Sequence, residues 1–200
     1  MGEGYPSGIA ERRKVNEVSF KVKNGTVENR MIAEADELLE KFGLKNPPVP
    51  VDRLAEFLGI RVVYKPYEDG DDVSGMLYRG EDRPVIGVNS AHHIHRQRFT
   101  IAHEIGHFML HEGKMYVDTP TVRFRDSISG LAIDNEEIEA NGFAAELLLP
   151  RKFLEKSLEG LFQKKIRDRK AIVDKLSSEY KVSAQTVEFR LKNLGVLLPE

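Results

Sequence analysis

R-Q-R-F-T-I-A-H-E-I-G-H-F, residues 96–108, sets apolar side chains at Phe99, Ile101, Ala102, Ile105 and Phe108. That is the broad stripe of a helix buried on one side, and the pattern predicts a helix over 92–111. His103 and His107 stand four apart within it. On a helix they project from one face about 6 Å apart along the axis, so both imidazoles can reach one tetrahedral zinc ion. Glu104 lies beside them, placed to take a proton from metal-activated water and later pass it to a leaving amine. Gly106 costs a helix roughly 1 kcal/mol relative to Ala. A buried helix gains from it only where another element must approach closely.

Two imidazoles do not complete a zinc site. All six histidines fall between positions 92 and 111, and there is no cysteine. His111 follows His103 by eight positions, some 12 Å along the axis, and cannot share a metal with it on a regular helix. It reads as a helix-end histidine at the negative pole of the dipole, or as a substrate contact. His92, His93 and His95 read as a polar helix start rather than a second metal site. The third ligand must then be a carboxylate. E-E-I-E-A-N-G-F-A-A-E-L-L-L-P, residues 136–150, predicts a helix over 134–149 that can fold back across the first, and it offers Glu136, Glu137, Glu139 and Glu146. Glu137 and Asn141 share a face, so that Glu137 can bind metal while Asn141 braces a ligand imidazole. Glu139 competes for the same role.

Around these two helices the chain alternates. Ile32, Ala35, Leu38, Leu39 and Phe42 predict a helix that Gly43 stops, and Val51, Leu54, Ala55 and Leu58 predict a short one that Gly59 stops. Residues 60–67, 74–79 and 84–89 predict strands of an antiparallel meander. Residues 114–130 read as an irregular loop. Beyond Pro150 lie helical segments at 151–158, 166–180 and 183–193. The fold class is α+β, a small, mainly antiparallel three-stranded sheet packed on helices. The expected organisation is an N-terminal tail or arm over 1–28, a main domain over 29–150 and a helical C-terminal segment over 151–200.

The 200 residues carry a net charge of -2, but twelve Lys and Arg against seven Asp and Glu put residues 151–200 at +5 and the remainder at -7. V-S-A-Q-T-V-E-F-R-L-K-N-L-G, residues 182–195, together with the preceding helix resembles a helix-turn-helix, with Ser183 as N-cap. Two readings stay open there. Arg190 and Lys192 face DNA, or Val182, Val187, Leu191 and Leu194 pack the hairpin onto the core. No stretch approaches the ~18 apolar residues of a membrane span, and no secretory signal opens the chain. The absence of cysteine fits a reducing compartment, so the expected location is the cytoplasm, with no membrane partner.

With these residues in view, 96–108 and 137–150 resemble the ImmA/IrrE family of zinc metallo-endopeptidases. P-P-V-P-V-D-R-L-A-E-F-L-G-I at 47–60, D-V-S-G-M-L-Y at 72–78 and V-I-G-V-N-S at 85–90 extend the resemblance over roughly residues 30–150. It implies a zincin-like core and a Zn2+ cofactor. It implies an E-x-x-x-N motif, here Glu137 and Asn141, as source of the third ligand. It also implies a protein substrate, a helix-turn-helix transcriptional repressor whose cleavage relieves repression of stress, phage or mobile-element genes. On that reading a peptide lies along an exposed strand edge at Val85, Gly87 and Asn89. Tyr116, His111, Arg123 and Arg125 are the candidates for oxyanion or substrate contacts. The competing reading is a DNA- or repressor-binding regulator with a structural or vestigial zinc site.

Overall fold

The structure is a computed structural model and describes residues 13–15, 18–20, 26–67, 73–118, 129–196 and 198. A short antiparallel hairpin, β1 (Arg13–Val15) and β2 (Val18–Phe20), lies within the expected tail. Helix α1 (Thr26–Phe42) buries Ala35, Leu38 and Leu39, and α2 (Val51–Phe57) buries Val51, Leu54 and Ala55. Both end as their sequences predict. Gly43 and Gly59 take φ of 77° and 78°, where a Cβ would clash with the backbone, and the bonds Leu44 N–H to Leu39 O and Ile60 N–H to Ala55 O close each last turn.

The sheet departs from the expected meander in two ways. Strands β3 (Arg61–Lys65), β4 (Gly75–Arg79) and β5 (Pro84–Asn89) form, but a fourth, β6 (Met115–Asp118), comes from the segment read as irregular. The order is β3-β5-β4-β6, with β3 parallel to β5 and the other pairs antiparallel. The turn at 80–83 makes β4 and β5 a hairpin, while β3 pairs with the far side of β5. Strand β5 is therefore central and paired on both sides, and has no edge to offer at Val85, Gly87 or Asn89. Asn89 is buried in a structural task, donating from Nδ2 to Val73 O at 3.0 Å and accepting from Ala91 N–H at 3.0 Å.

Leu77, Ile86 and Val88 form the sheet's buried side, and α3 (Ile94–Leu110) packs beneath it. His93 caps α3 through the His95 N–H. Arg96 donates to Ser74 Oγ at 2.8 Å, while Arg98 donates to Val49 O at 2.8 Å and Lys181 O at 3.0 Å, tying α3 to the loop before α2 and to the C-terminal helices.

Helix α4 (Ser129–Leu148) starts earlier than its pattern predicts and crosses α3 at Gly106. A Cβ at Gly106 would sit 3.1 Å from Ala140 Cα and 3.2 Å from Ala140 O, which is the close approach that this glycine signalled. Helices α5 (Arg151–Gln163), α6 (Arg169–Tyr180) and α7 (Ala184–Asn193) follow, α7 capped by Ser183 Oγ accepting from Thr186 N–H at 3.1 Å. Val182, Val187, Leu191 and Leu194 are buried in the same apolar core as α1–α4. No described helix is long and apolar enough to cross a membrane.

Candidate metal centre

The crossing of α3 and α4 determines what meets above it. Ala140 rests on Gly106, so the preceding turn of α4 carries Glu137 over the two histidines on α3. Glu137 Oε2 lies 3.2 Å from His103 Nε2, Glu137 Oε1 lies 3.2 Å from His107 Nε2, and the two Nε2 atoms are 3.1 Å apart. Among the described residues, these three are the only group of three or more histidine, cysteine or acidic side chains converging tightly enough to hold an ion. Ligand atoms at about 2.0–2.1 Å from a tetrahedral metal are separated by about 3.3–3.4 Å, so this triangle fits a zinc-sized ion with a fourth position left open. Both histidines are buried, while Glu137 keeps a third of its side chain exposed.

The protonation states suit ligation. Burial pushes the His107 imidazole below its usual range, against the opposing pull of Glu137, and so favours the neutral, metal-binding form. Burial on its own would raise the Glu137 carboxyl; the hydrogen bonds with His103 and His107 oppose it, and the group is held well below the ordinary carboxylate range. Glu104 is fully buried. One of its oxygens lies 3.5 Å from where a Cβ on Gly75 would stand, and Thr100 Cγ2 lies only 2.2 Å from that point. Any side chain at Gly75 would therefore push β4 away from Glu104.

The other sequence candidates separate. Glu139 is not in the ligand triangle; it faces His111, with Oε2 3.2 Å from Nε2. Glu146 is buried elsewhere, accepting from Arg151 N–H at 3.0 Å and paired with Arg190. Asn141 is exposed and bonds neither ligand imidazole. His111 does brace one: its Nδ1 is 3.0 Å from His107 Nδ1. Tyr116 on β6 stacks on His107, ring centroids 4.2 Å apart, and its hydroxyl accepts from Gly113 N–H at 2.9 Å. Arg123 and Arg125 lie outside the described residues. Arg190, read as a possible DNA contact, is inside the molecule, donating to the Glu146 carboxylate and to Leu149 O.

One participant was missed altogether. Arg79 on β4 donates to the carbonyls of His107, Phe108 and His111, closing the C-terminal end of α3, and lies over the Phe108 ring. Its only sequence signal was a cation at a strand end, which is shared by many surface residues.

The family model described as the IrrE N-terminal-like domain, Peptidase M78, matches residues 55–192. This chain belongs to that family. The match runs from α2 to the end of α7, so the three C-terminal helices lie within the Peptidase M78 region. The chain is also 31% identical over 130 residues to the "uncharacterized immunity region protein 2" of Bacillus phage phi105, covering 62% of this chain and 75% of that protein. In fold it is similar to a Mycobacterium tuberculosis transcriptional regulator, with a TM-score of 0.52 at 19% identity over 82% of this chain. The chain spans 46% of that regulator's length.

Proposed function

We propose that this member of the Peptidase M78 family is a zinc-dependent endopeptidase of the cytoplasm that cleaves a helix-turn-helix transcriptional repressor. The observation carrying this reading is the convergence of His103, His107 and Glu137 at 3.1–3.2 Å, with the buried Glu104 next to His103 on the same helix. Zinc held by those three residues would polarise a peptide carbonyl and bring the pKa of water down to about 7. Glu104 would then take the water's proton and return it to the departing amine, while its burial keeps bulk water from competing.

The substrate main chain needs an edge. Strand β5 has none, whereas β6 pairs only with β4 among the described residues and places Tyr116 against His107. A peptide adding to the outer side of β6 would gain main-chain hydrogen bonds next to the ligands. The repressor as target rests on the family and on the phage relative's printed description as an immunity region protein.

A repressor encoded beside this chain is the substrate to test. The wild-type protein with zinc should cut it, and a chelator should stop the reaction. Glu104→Gln should keep fold and metal yet lose about 10²–10⁴-fold in rate. Cleavage undiminished in that variant would overturn the mechanism. No cleavage with metal bound would point to the regulator reading instead, although the buried Arg190 removes one of the two cations that reading relied on.

A further inference from the structure

Resting on the metal-site reading, we infer that His111 and Glu139 form a two-step relay that orients His107 for the metal. Helix α3 ends at Leu110, and His111 turns off into an extended conformation at φ -125° and ψ 157°. Arg79 holds its carbonyl, and the imidazole, buried and one turn beyond His107, is brought back against the ligand ring. His107 Nδ1 and His111 Nδ1 are 3.0 Å apart, and His111 Nε2 and Glu139 Oε2 are 3.2 Å apart.

Chemistry admits one assignment of protons to this chain. His107 must present Nε2 as a bare lone pair to a metal, so its hydrogen is on Nδ1. That hydrogen points at His111 Nδ1, which must then accept and carry its own hydrogen on Nε2. The Nε2 hydrogen is donated to the Glu139 carboxylate, which needs no further donor. Every ring nitrogen in the row is used and both tautomers are fixed. A carboxylate at the far end makes His107 a stronger electron donor and fixes its ring plane. The stacked Tyr116 ring closes one face of His107 and limits its rotation. Glu139 and His111 thereby act through His107 as positioning residues. The buried His103 Nδ1 has no hydrogen-bond partner among the described residues, so the relay serves one ligand and not the other.

The test is metal affinity, measured by chelator competition with zinc and by the visible spectrum of the cobalt-substituted protein, alongside the melting temperature of the metal-free form. Wild-type protein that takes up no metal would overturn the metal site itself, before any variant is considered. Given uptake, His111→Phe should bind zinc about 10–100-fold more weakly and shift the cobalt spectrum, while the metal-free melting temperature holds. His111→Asn keeps an acceptor near Nδ1 and should recover part of the affinity. Glu139→Leu, at a position whose side chain is 22% exposed, should lose about 3–10-fold, with the metal-free melting temperature checking that the fold is kept. The double variant His111→Phe/Glu139→Leu should fall no further than His111→Phe alone, because the two act in series. Glu139→Leu affinity within twofold of wild type overturns the proposal, as do additive losses in the double variant.

Discussion

Gly106 has a single hydrogen for a side chain, and through that gap α4 reaches α3. A larger group would meet the backbone of Ala140, which cannot swing aside as the tip of a side chain would, and the Phe143 ring. Gly106→Val should cost about 1–3 kcal/mol by overpacking, outweighing the roughly 0.3–0.5 kcal/mol that a helix gains when the β-branched Val replaces a glycine. Because the displaced turn carries Glu137, zinc affinity should fall with stability. Urea unfolding and chelator competition on the same sample check this, and a stable variant with wild-type affinity would separate the glycine from the site. At this scale the sequence was most legible for the motif itself. Two histidines and a glutamate at helical spacing have fixed relative directions whatever surrounds them, so their grouping could be read without a fold. Asn141 was misjudged for the opposite reason. Four residues after Glu137 it shares that helix face only approximately, and the crossing angle leaves it exposed while His111 reaches the imidazole.

Elements that end in glycine were predicted within a residue, because a left-handed turn is a local requirement. Strand β6 and the place of β5 were not local matters. Met115–Asp118 is four residues long and becomes a strand by pairing with β4. The central position of β5 depends on which side of it β3 docks, and no pattern within β5 records that. Helix α7 presents a comparable case. Its basic residues suggested an outward face, yet Arg190 turns inward to Glu146 on α4. Removing one partner of such a pair strands a buried charge, so Arg190→Met should destabilise by about 3–5 kcal/mol. Pairing it with Glu146→Leu should recover much of that loss. Denaturant titration of the two single variants and the double checks the coupling, and additive losses would count against it.

Across the described residues, one apolar core runs from α1 to the residues after α7, and the candidate metal site stands where α3, α4 and the sheet meet. A ligand that binds only the folded state stabilises it by mass action, by about 2.7 kcal/mol at a concentration one hundred times its dissociation constant. For a chain of this size that corresponds to a rise of roughly 5–10 °C in melting temperature. Zinc should produce such a rise in the wild-type protein and none in His103→Ala; equal shifts in both would place the binding elsewhere. The α+β class was legible in the sequence because helical and alternating periods differ so clearly. The unity of the core was less so, since a basic C-terminal quarter looked separable from an acidic body. Arg98 and the Glu146–Arg190 pair tie that quarter to α3 and α4 from two sides. Recombination between relatives that exchanged only the last helices would bring together residues that never had to accommodate each other inside one interior. Positions 146 and 190 are therefore expected to be inherited as a couple, and chimeras that split them should fold poorly even with every ligand intact.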